Sequence, residues 1–335
     1  MATRAWHPHR VEDLTVRGAT TADAPALTAL LQAADEMDHT ELHEGLEDVE
    51  EMLASPMIDL AADWLVAEQD GRLVASAELW PRAPSDGEVD LYVGGTVHPE
   101  HRGEGIATLL LGRMKERAVT YVAERSAELG EPLSPRIRAE TISTNEPADG
   151  LLRAAGFVPR RFKMLMHADL TGPVKPEPQV PAGFTLSTWE GADHHEVRAA
   201  HNLAFDGYHY GFTPWDEQMW RQWVQDSAAL RPAMSLLLRD DDGAIAAYVQ
   251  SSEYDGVTEA TGVREAFVAK VGTVPAHRGR GLAGLLLSVA LSRYAEAGYP
   301  ASTLDVDAEN PTGALGIYER AGYRERLRFA LYELD

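Results

Sequence analysis

The sequence predicts an α/β (α+β) protein in which one fold, a mixed sheet flanked by helices, is written twice. Three observations point there. The chain has 335 residues, about twice a ~100–150-residue domain. A glycine-rich segment recurs in register. A proline-rich stretch separates the copies. Residues 97–107 read Val-His-Pro-Glu-His-Arg-Gly-Glu-Gly-Ile-Ala, and residues 273–283 read Thr-Val-Pro-Ala-His-Arg-Gly-Arg-Gly-Leu-Ala. Arg278 stands 176 residues after Arg102, and the Pro, His, Ala and both Gly keep that offset.

Taken in order, each copy opens with a short strand and one or two helices. Two strands joined by a turn follow, with Asp70-Gly71 and Asp242-Gly243 as the turn dipeptides. An apolar strand then runs into the glycine turn, which opens a helix with apolar 3–4 spacing. Its core residues are Leu109, Leu110, Met114, Ala118 and Tyr121 in the first copy, and Leu285, Leu286, Val289 and Tyr294 in the second. A further strand, Ile137 to Ile142, precedes a helix from Asn145 to Ala155 and the pair Gly156-Phe157. Its counterpart is Thr303 to Asp307, then Asn310 to Ala321, then Gly322-Tyr323. Between the copies Pro173, Pro176, Pro178 and Pro181 remove backbone donors and favour an extended linker. The expected domains are 1–170 and 183–335, joined by a linker at 171–182.

Composition narrows the function classes. Fifty-three acids against 30 bases give a net charge of −23, which disfavours nucleic acid and anionic membrane and suits a cationic small molecule. No cysteine is present, so thiol nucleophiles, disulfides and thiolate metal sites are excluded. The longest apolar stretch, Leu282 to Leu291, is far short of the ~20 residues needed to cross a bilayer. Met1 to Gly18 lacks the apolar core of a secretion signal. The expectation is a cytoplasmic monomer or homodimer. His98/His101 and His194-His195 lack a carboxylate pattern to complete a metal site, so no metal is expected.

A strand entering a glycine turn that opens a helix directs free N–H groups, and the positive end of the helix dipole, at an anion. Gly279 and Gly281 let backbone approach it closely, while Arg278 and Arg280 add charge. The pattern is neither a P-loop nor a dinucleotide fingerprint. A turn shaped only for packing is the alternative.

Arg102-Gly103-Glu104-Gly105-Ile106-Ala107 and Arg278-Gly279-Arg280-Gly281-Leu282-Ala283 resemble the Arg/Gln-x-x-Gly-x-Gly/Ala acetyl-CoA signature of the GNAT N-acetyltransferase superfamily. Val97-x-Pro99 and Thr273-x-Pro275 resemble the end of its fourth strand, and Asn310…Tyr318…Gly322-Tyr323 its downstream motif. The resemblance covers nearly the whole chain as a tandem pair and implies mostly antiparallel sheets. It further implies acetyl-CoA as co-substrate. The backbone at Val271, Gly272 and Thr273 would pair with the pantetheine arm, as Val97 would in the first copy. The loop from Arg278 to Ala283, and its counterpart from Arg102 to Ala107, would hold pyrophosphate. Asn310 would lie near the thioester, and Tyr318 would protonate the departing thiolate.

The copies are not equivalent. Leu152 and Tyr318 each stand four residues before the Gly-aromatic pair, and leucine has no proton to give. General acid–base groups contribute ~10²–10⁴-fold, so catalysis is expected in the second copy. The first is weak or silent, with its loop still able to bind cofactor. The attacking amine must be neutral, which costs ~4.6 kcal/mol at pH 7 for a lysine-type amine and ~1.4 kcal/mol for an α-amine. Glu265 is the candidate base, expected to share a strand face with Phe267, Ala269 and Val271; Asp305 and Asp307 are rivals. Aromatics crowd the segment from Phe205 to Trp223, where Tyr208 and Tyr210 are the expected substrate contacts and a core patch is the alternative. Asp35 to Glu51 is acid-rich in the first copy, which reads as a solvated face or a lure for cations. The expected activity is acetylation of a primary amine on a small polar molecule by direct attack. Antibiotic or peptide N-terminal acetylation, and a non-catalytic acyl-CoA sensor or scaffold, are the alternatives.

Overall fold

The computed structural model describes residues 14–206, 212–309 and 313–335. The first copy runs β1 (Thr15–Gly18), α1 (Ala24–Asp38), α2 (Leu46–Leu53), α3 (Leu60–Asp63), β2 (Trp64–Gln69), β3 (Arg72–Pro81), β4 (Glu88–Val97), α4 (Ile106–Leu129), β5 (Ser134–Ile142), α5 (Glu146–Ala154) and β6 (Phe157–Asp169). The second runs β7 (Phe184–Thr188), α6 (His194–Phe205), α7 (Glu217–Trp220), β8 (Leu236–Asp240), β9 (Ile245–Ser252), α8 (Asp255–Thr261), β10 (Glu265–Thr273), α9 (Leu282–Glu296), β11 (Ala301–Asp307), α10 (Ala314–Ala321) and β12 (Arg324–Leu334). In each copy the first four strands pair antiparallel, and one parallel pair comes next, β4 with β5 or β10 with β11. The strand pairing is mixed and mostly antiparallel, as expected.

The chain forms two compact units, Met1–Arg161 with Phe329–Asp335, and Phe162–Arg328. The division thus falls ahead of the proline-rich segment, and the C-terminal residues join the first unit. The cause is strand exchange. Phe329 to Glu333 of β12 pair antiparallel with β5, while Lys163 to Asp169 of β6 pair antiparallel with β11. Each parallel pair would otherwise leave an open edge of unsatisfied backbone groups, and the last strand of the other copy fills it.

Residues 171–182 hold no regular secondary structure, as four prolines dictate, yet they are tied to the second unit. The Ser292 hydroxyl donates to the Lys175 carbonyl, and Glu177 pairs with Arg293 at 2.7 Å. The segment straps the outer face of α9. That explains a contrast between the glycine-loop helices. Helix α4 buries one stripe, Ile106, Leu110, Leu111, Met114, Ala118 and Val122, the 3–4 spacing of a helix half in water. Helix α9 buries Leu282, Leu286, Leu287, Val289, Ala290, Leu291, Ser292 and Tyr294, nearly all round. At ~1.5–3 kcal/mol for each fully buried large aliphatic side chain, α9 is a main anchor of its unit.

Candidate active site

The two glycine loops have the same backbone. Gly103 and Gly105 hold φ of 78° and 86°, and Gly279 and Gly281 both hold 74°, the left-handed region where glycine is unstrained. At Gly103, Gly279 and Gly281 an added Cβ would meet open space, so the glycines serve the turn and leave room above it. Helices α4 and α9 start at Gly105 and Gly281 with no side-chain cap, unlike α5, α6 and α7, which Asn145, Asp193 and Asp216 cap. Their first N–H groups therefore stay available to an anion.

The arginines divide the work differently from the sequence expectation. The Arg278 Nε donates to the Thr273 carbonyl at 3.3 Å and its Nη2 to the Ala204 carbonyl, in α6, at 3.1 Å. The Arg102 Nε likewise reaches the Val97 carbonyl at 3.1 Å, and its two Nη atoms grip Asp38, the last residue of α1, at 2.6 and 2.9 Å. The first arginine of each loop is a strut between strand and helix. In the second unit the other loop arginine carries the exposed charge. Arg280 lies 4.6 Å over the Phe184 ring and 3.2 Å from His277 Nδ1, whereas the first unit has Glu104 there, 3.7 Å from His101 Nδ1.

The strand leading into each loop parts from its parallel neighbour. Strand β10 pairs with β11 only from Glu265 to Val268, and β4 with β5 only from Glu88 to Tyr92. Beyond those points Val271, Gly272 and Thr273, like Val97, have no parallel partner, which frees one side of the backbone for an extended ligand. On the other side β4 keeps an unbroken register with β3 from Val97↔Ala75 to Leu91↔Pro81. Strand β10 does not, for its register with β9 shifts between Val268 and Lys270. This bulge inserts Ala269 and flips the parity of the rest of the strand. Glu265 and Phe267 consequently share a face with Lys270 and Gly272, and the expectation of a common face with Val271 is corrected. Arg326 holds Glu265 at 3.3 Å. Asp305 is exposed beside Lys163, and Asp307 accepts from the Glu309 N–H at 2.9 Å.

Tyr318 lies on α10, half-buried against Tyr323. Burial pushes its phenol up to about 12, so it stays protonated through neutral pH and can donate. Tyr323 is fully buried and bonds Ser302 Oγ at 2.7 Å, which bonds the Ala266 carbonyl at 2.7 Å. This chain pins β10 to β11 just before they separate. Leu152 packs into the first unit's core. Asn145 is spent on capping α5, its Oδ1 accepting from the Ala148 N–H at 3.1 Å. Asn310, Tyr208 and Tyr210 lie outside the described residues.

The rest of the aromatic segment builds a cage around a residue that sequence reasoning missed. Phe205, Phe212, Trp215 and Trp220 surround the His201 ring with centroids 4.5–5.6 Å away. His201 Nδ1 meets the buried Tyr248 hydroxyl at 2.6 Å. The Tyr248 ring lies over Gly272, where a Cβ would come within 2.3 Å of it. Helical spacing around His201 carries no sign of this, because the partner is on a strand 47 residues away. In the first unit the acids are only partly a solvated face. Glu36, Glu47 and Glu50 are exposed, but Asp35 is buried and holds His43 at 2.7 Å. Burial, with Asp35 and Asp48 nearby, raises Glu44, and burial with Glu44 nearby raises Glu78 to about 7. Among the described residues no cluster of three His, Asp or Glu side chains suits a metal, and no helix is long and apolar enough to cross a membrane.

Two separated segments, residues 27–157 and 197–323, match the acetyltransferase (GNAT) family. The chain belongs to that family. It is a tandem GNAT N-acetyltransferase, one domain in each unit. Its tandem layout resembles that of mycothiol synthase, and curated relatives carry a kindred name. A mycothiol acetyltransferase of Nocardia farcinica is 30% identical over 93% of this chain and 95% of its own, and one of Streptomyces coelicolor is 25% identical over 96% and 94%. Among solved structures, a GCN5-related N-acetyltransferase from Sphaerobacter thermophilus superposes with a TM-score of 0.71 at 26% identity, covering 96% of this chain and 95% of that one. A tandem GNAT protein from the clavulanic acid biosynthesis pathway gives 0.70 at 19%, covering 96% and 98%.

Proposed function

We propose that this GNAT protein transfers the acetyl group of acetyl-CoA to a primary amine of a small polar molecule, and that the second unit performs the transfer. The observation that carries the reading is the convergence, in that unit, of an open parallel pair, an uncapped helix behind a cationic loop, and a desolvated phenol at Tyr318.

Acetyl-CoA would supply an activated thioester. The loop from Arg278 to Ala283 would hold its phosphates through the N–H groups at the start of α9, with Arg280 adding charge, Arg278 bracing the loop, and Leu282 and Ala283 supplying helix N–H groups. The side of β10 that β11 leaves free at Val271 to Thr273 would align the pantetheine arm, and Asn310 would lie near the thioester. Tyr318 would donate its proton to the departing sulfur; a phenol kept near 12 is fully protonated when needed. Glu265, on the bulge-shifted face with Lys270 and Gly272, would accept the amine proton through water once freed from Arg326. Tyr208 and Tyr210 would contact the acceptor. The first unit, with Arg102, Gly103, Glu104, Gly105, Ile106 and Ala107 in its loop, would bind acetyl-CoA weakly and not turn it over. The relatives named mycothiol acetyltransferase favour an acceptor related to mycothiol.

The test is thiol release from acetyl-CoA across a primary-amine panel, with Tyr318→Phe and Glu265→Gln. Amine-dependent release in the wild type, lost in Tyr318→Phe, supports the reading, and a Tyr318→Phe rate equal to wild type overturns the assigned acid. A Glu265→Gln kcat/KM within twofold of wild type removes Glu265 from the reaction.

A further inference from the structure

Resting on the reading of the second unit as the transferase, we propose that Gln250 orients the acceptor, its amide oxygen taking a hydrogen bond from an N–H of the attacking amine. Gln250 is 2% exposed on β9, and its Oε1 is sealed from solvent with no hydrogen-bond partner. A buried acceptor left without a donor is destabilising, and native interiors hold few of them.

Its placement gives the use. Gln250 pairs across the sheet with Lys270, the first residue beyond the bulge, on the face it shares with Tyr248 and Gly272. The neighbouring polar groups are already committed. The Tyr248 hydroxyl is held by His201 at 2.6 Å, and the Lys270 ammonium lies 4.6 Å from the Trp215 ring centroid. One strand away, β10 has left β11, and that is where the thioester carbon would stand if the pantetheine arm follows β10. An amide oxygen can only accept, so the missing partner is a donor. A neutral primary amine offers two N–H bonds and one lone pair. Fixing one N–H on Gln250 leaves the lone pair to swing toward the opening beside β10. The Lys270 charge disfavours an amine that arrives already protonated or flanked by further cations. The acceptor class is therefore a neutral primary amine rather than a polycation. In the first unit the same strand position, opposite Gly94 in an unbulged register, holds Glu78.

The experiment compares wild type with Gln250→Met in the full chain by thermal melting without ligand, by acetyl-CoA titration calorimetry, and by steady-state kinetics on the best amine of a panel that includes glycinamide, glucosamine and putrescine. The expected result is a Tm equal to or above wild type, because the orphan is gone. Acetyl-CoA Kd should stay within twofold, and amine kcat/KM should fall tenfold or more. Putrescine should rank below the other two in wild type. A kcat/KM within twofold of wild type overturns the proposal, and so does a lowered Tm, which would mean that the protein itself uses the Gln250 amide. If no amine is acetylated by wild type, the transferase reading is what fails, and the melting result alone then decides whether the Gln250 oxygen is an orphan held for a ligand.

Discussion

The two units share a backbone plan and differ at four chemical points. Both carry an uncapped helix behind a double left-handed glycine turn, and both brace that turn with the first loop arginine. The second unit then adds an exposed Arg280, a bulge at Val268/Lys270, a desolvated Tyr318 and an orphaned Gln250. The first has Glu104, a continuous strand, a core Leu152 and Glu78 at the corresponding positions. Their parallel pairs are also pinned by different means. Hydroxyls do it in the second unit, from Tyr323 through Ser302 to Ala266. In the first, Arg136 reaches Asp90 at 2.5 Å and Glu88 at 2.7 Å, with the fully buried Arg138 beside the Tyr92 hydroxyl at 3.0 Å. The loop backbone and its bracing arginine are thus common to both units, whereas the exposed cation, the bulge and the phenol occur in the second.

The sharpest way to break the contrast is Tyr318→Phe. It should lower kcat for thiol release by ~10²–10⁴-fold with acetyl-CoA affinity unchanged, while Leu152→Tyr adds no measurable activity to a Tyr318→Phe background. Stopped-assay rates on the two variants check both halves.

Next comes packing against the site strand. Gly272→Ala should destabilise by about 1–3 kcal/mol, because the Tyr248 ring within 2.3 Å is buried and tied to His201 and cannot withdraw. Gly94→Ala meets only the Glu78 carboxyl end, a flexible tip that can swing aside, and should cost below about 1 kcal/mol. Urea melts separate them.

A third test uses pH. Glu78 has a folded pKa of about 7 against 4.5 for an ordinary glutamate. A raised carboxyl holds its proton more tightly when folded, so stability is greatest below about 4.5 and falls as pH rises toward 7. Glu78→Gln should flatten that stretch and stabilise the protein by about 1–2 kcal/mol at about pH 8, read from melts at about pH 5 and 8. A parallel slope in wild type and variant refutes the assignment.

The smallest effect concerns loop charge. Arg280→Glu should weaken acetyl-CoA binding by the second unit about 5–10-fold, and Glu104→Arg should strengthen binding by the first by a similar factor, each effect shrinking with salt. Calorimetric titration at two salt concentrations measures both.

Much of this is legible in the residues. The repeat, the glycine turns, the helix stripes and the Leu152/Tyr318 asymmetry all depend on spacing within one element, which sequence preserves. Leu110, Met114, Leu286 and Tyr294 are buried as their periodicity requires. Arg278 is harder to read, because a cation beside a glycine turn looks the same whether it faces a phosphate or a carbonyl of its own strand. His201 and Gln250 are invisible for a related reason: a polar residue's importance here comes from the partner it has, or lacks, on a strand far away in sequence.

The sequence by itself determined that one fold occurs twice and that only the second copy carries a phenol four residues before its Gly-aromatic pair. Tertiary structure decided which strands flank each parallel pair, where Ala269 shifts the parity of β10, and that the buried Gln250 oxygen meets no donor. Local periodicity and turn chemistry are set by neighbours along the chain, whereas strand partners and hydrogen-bond satisfaction are set by residues brought close only on folding.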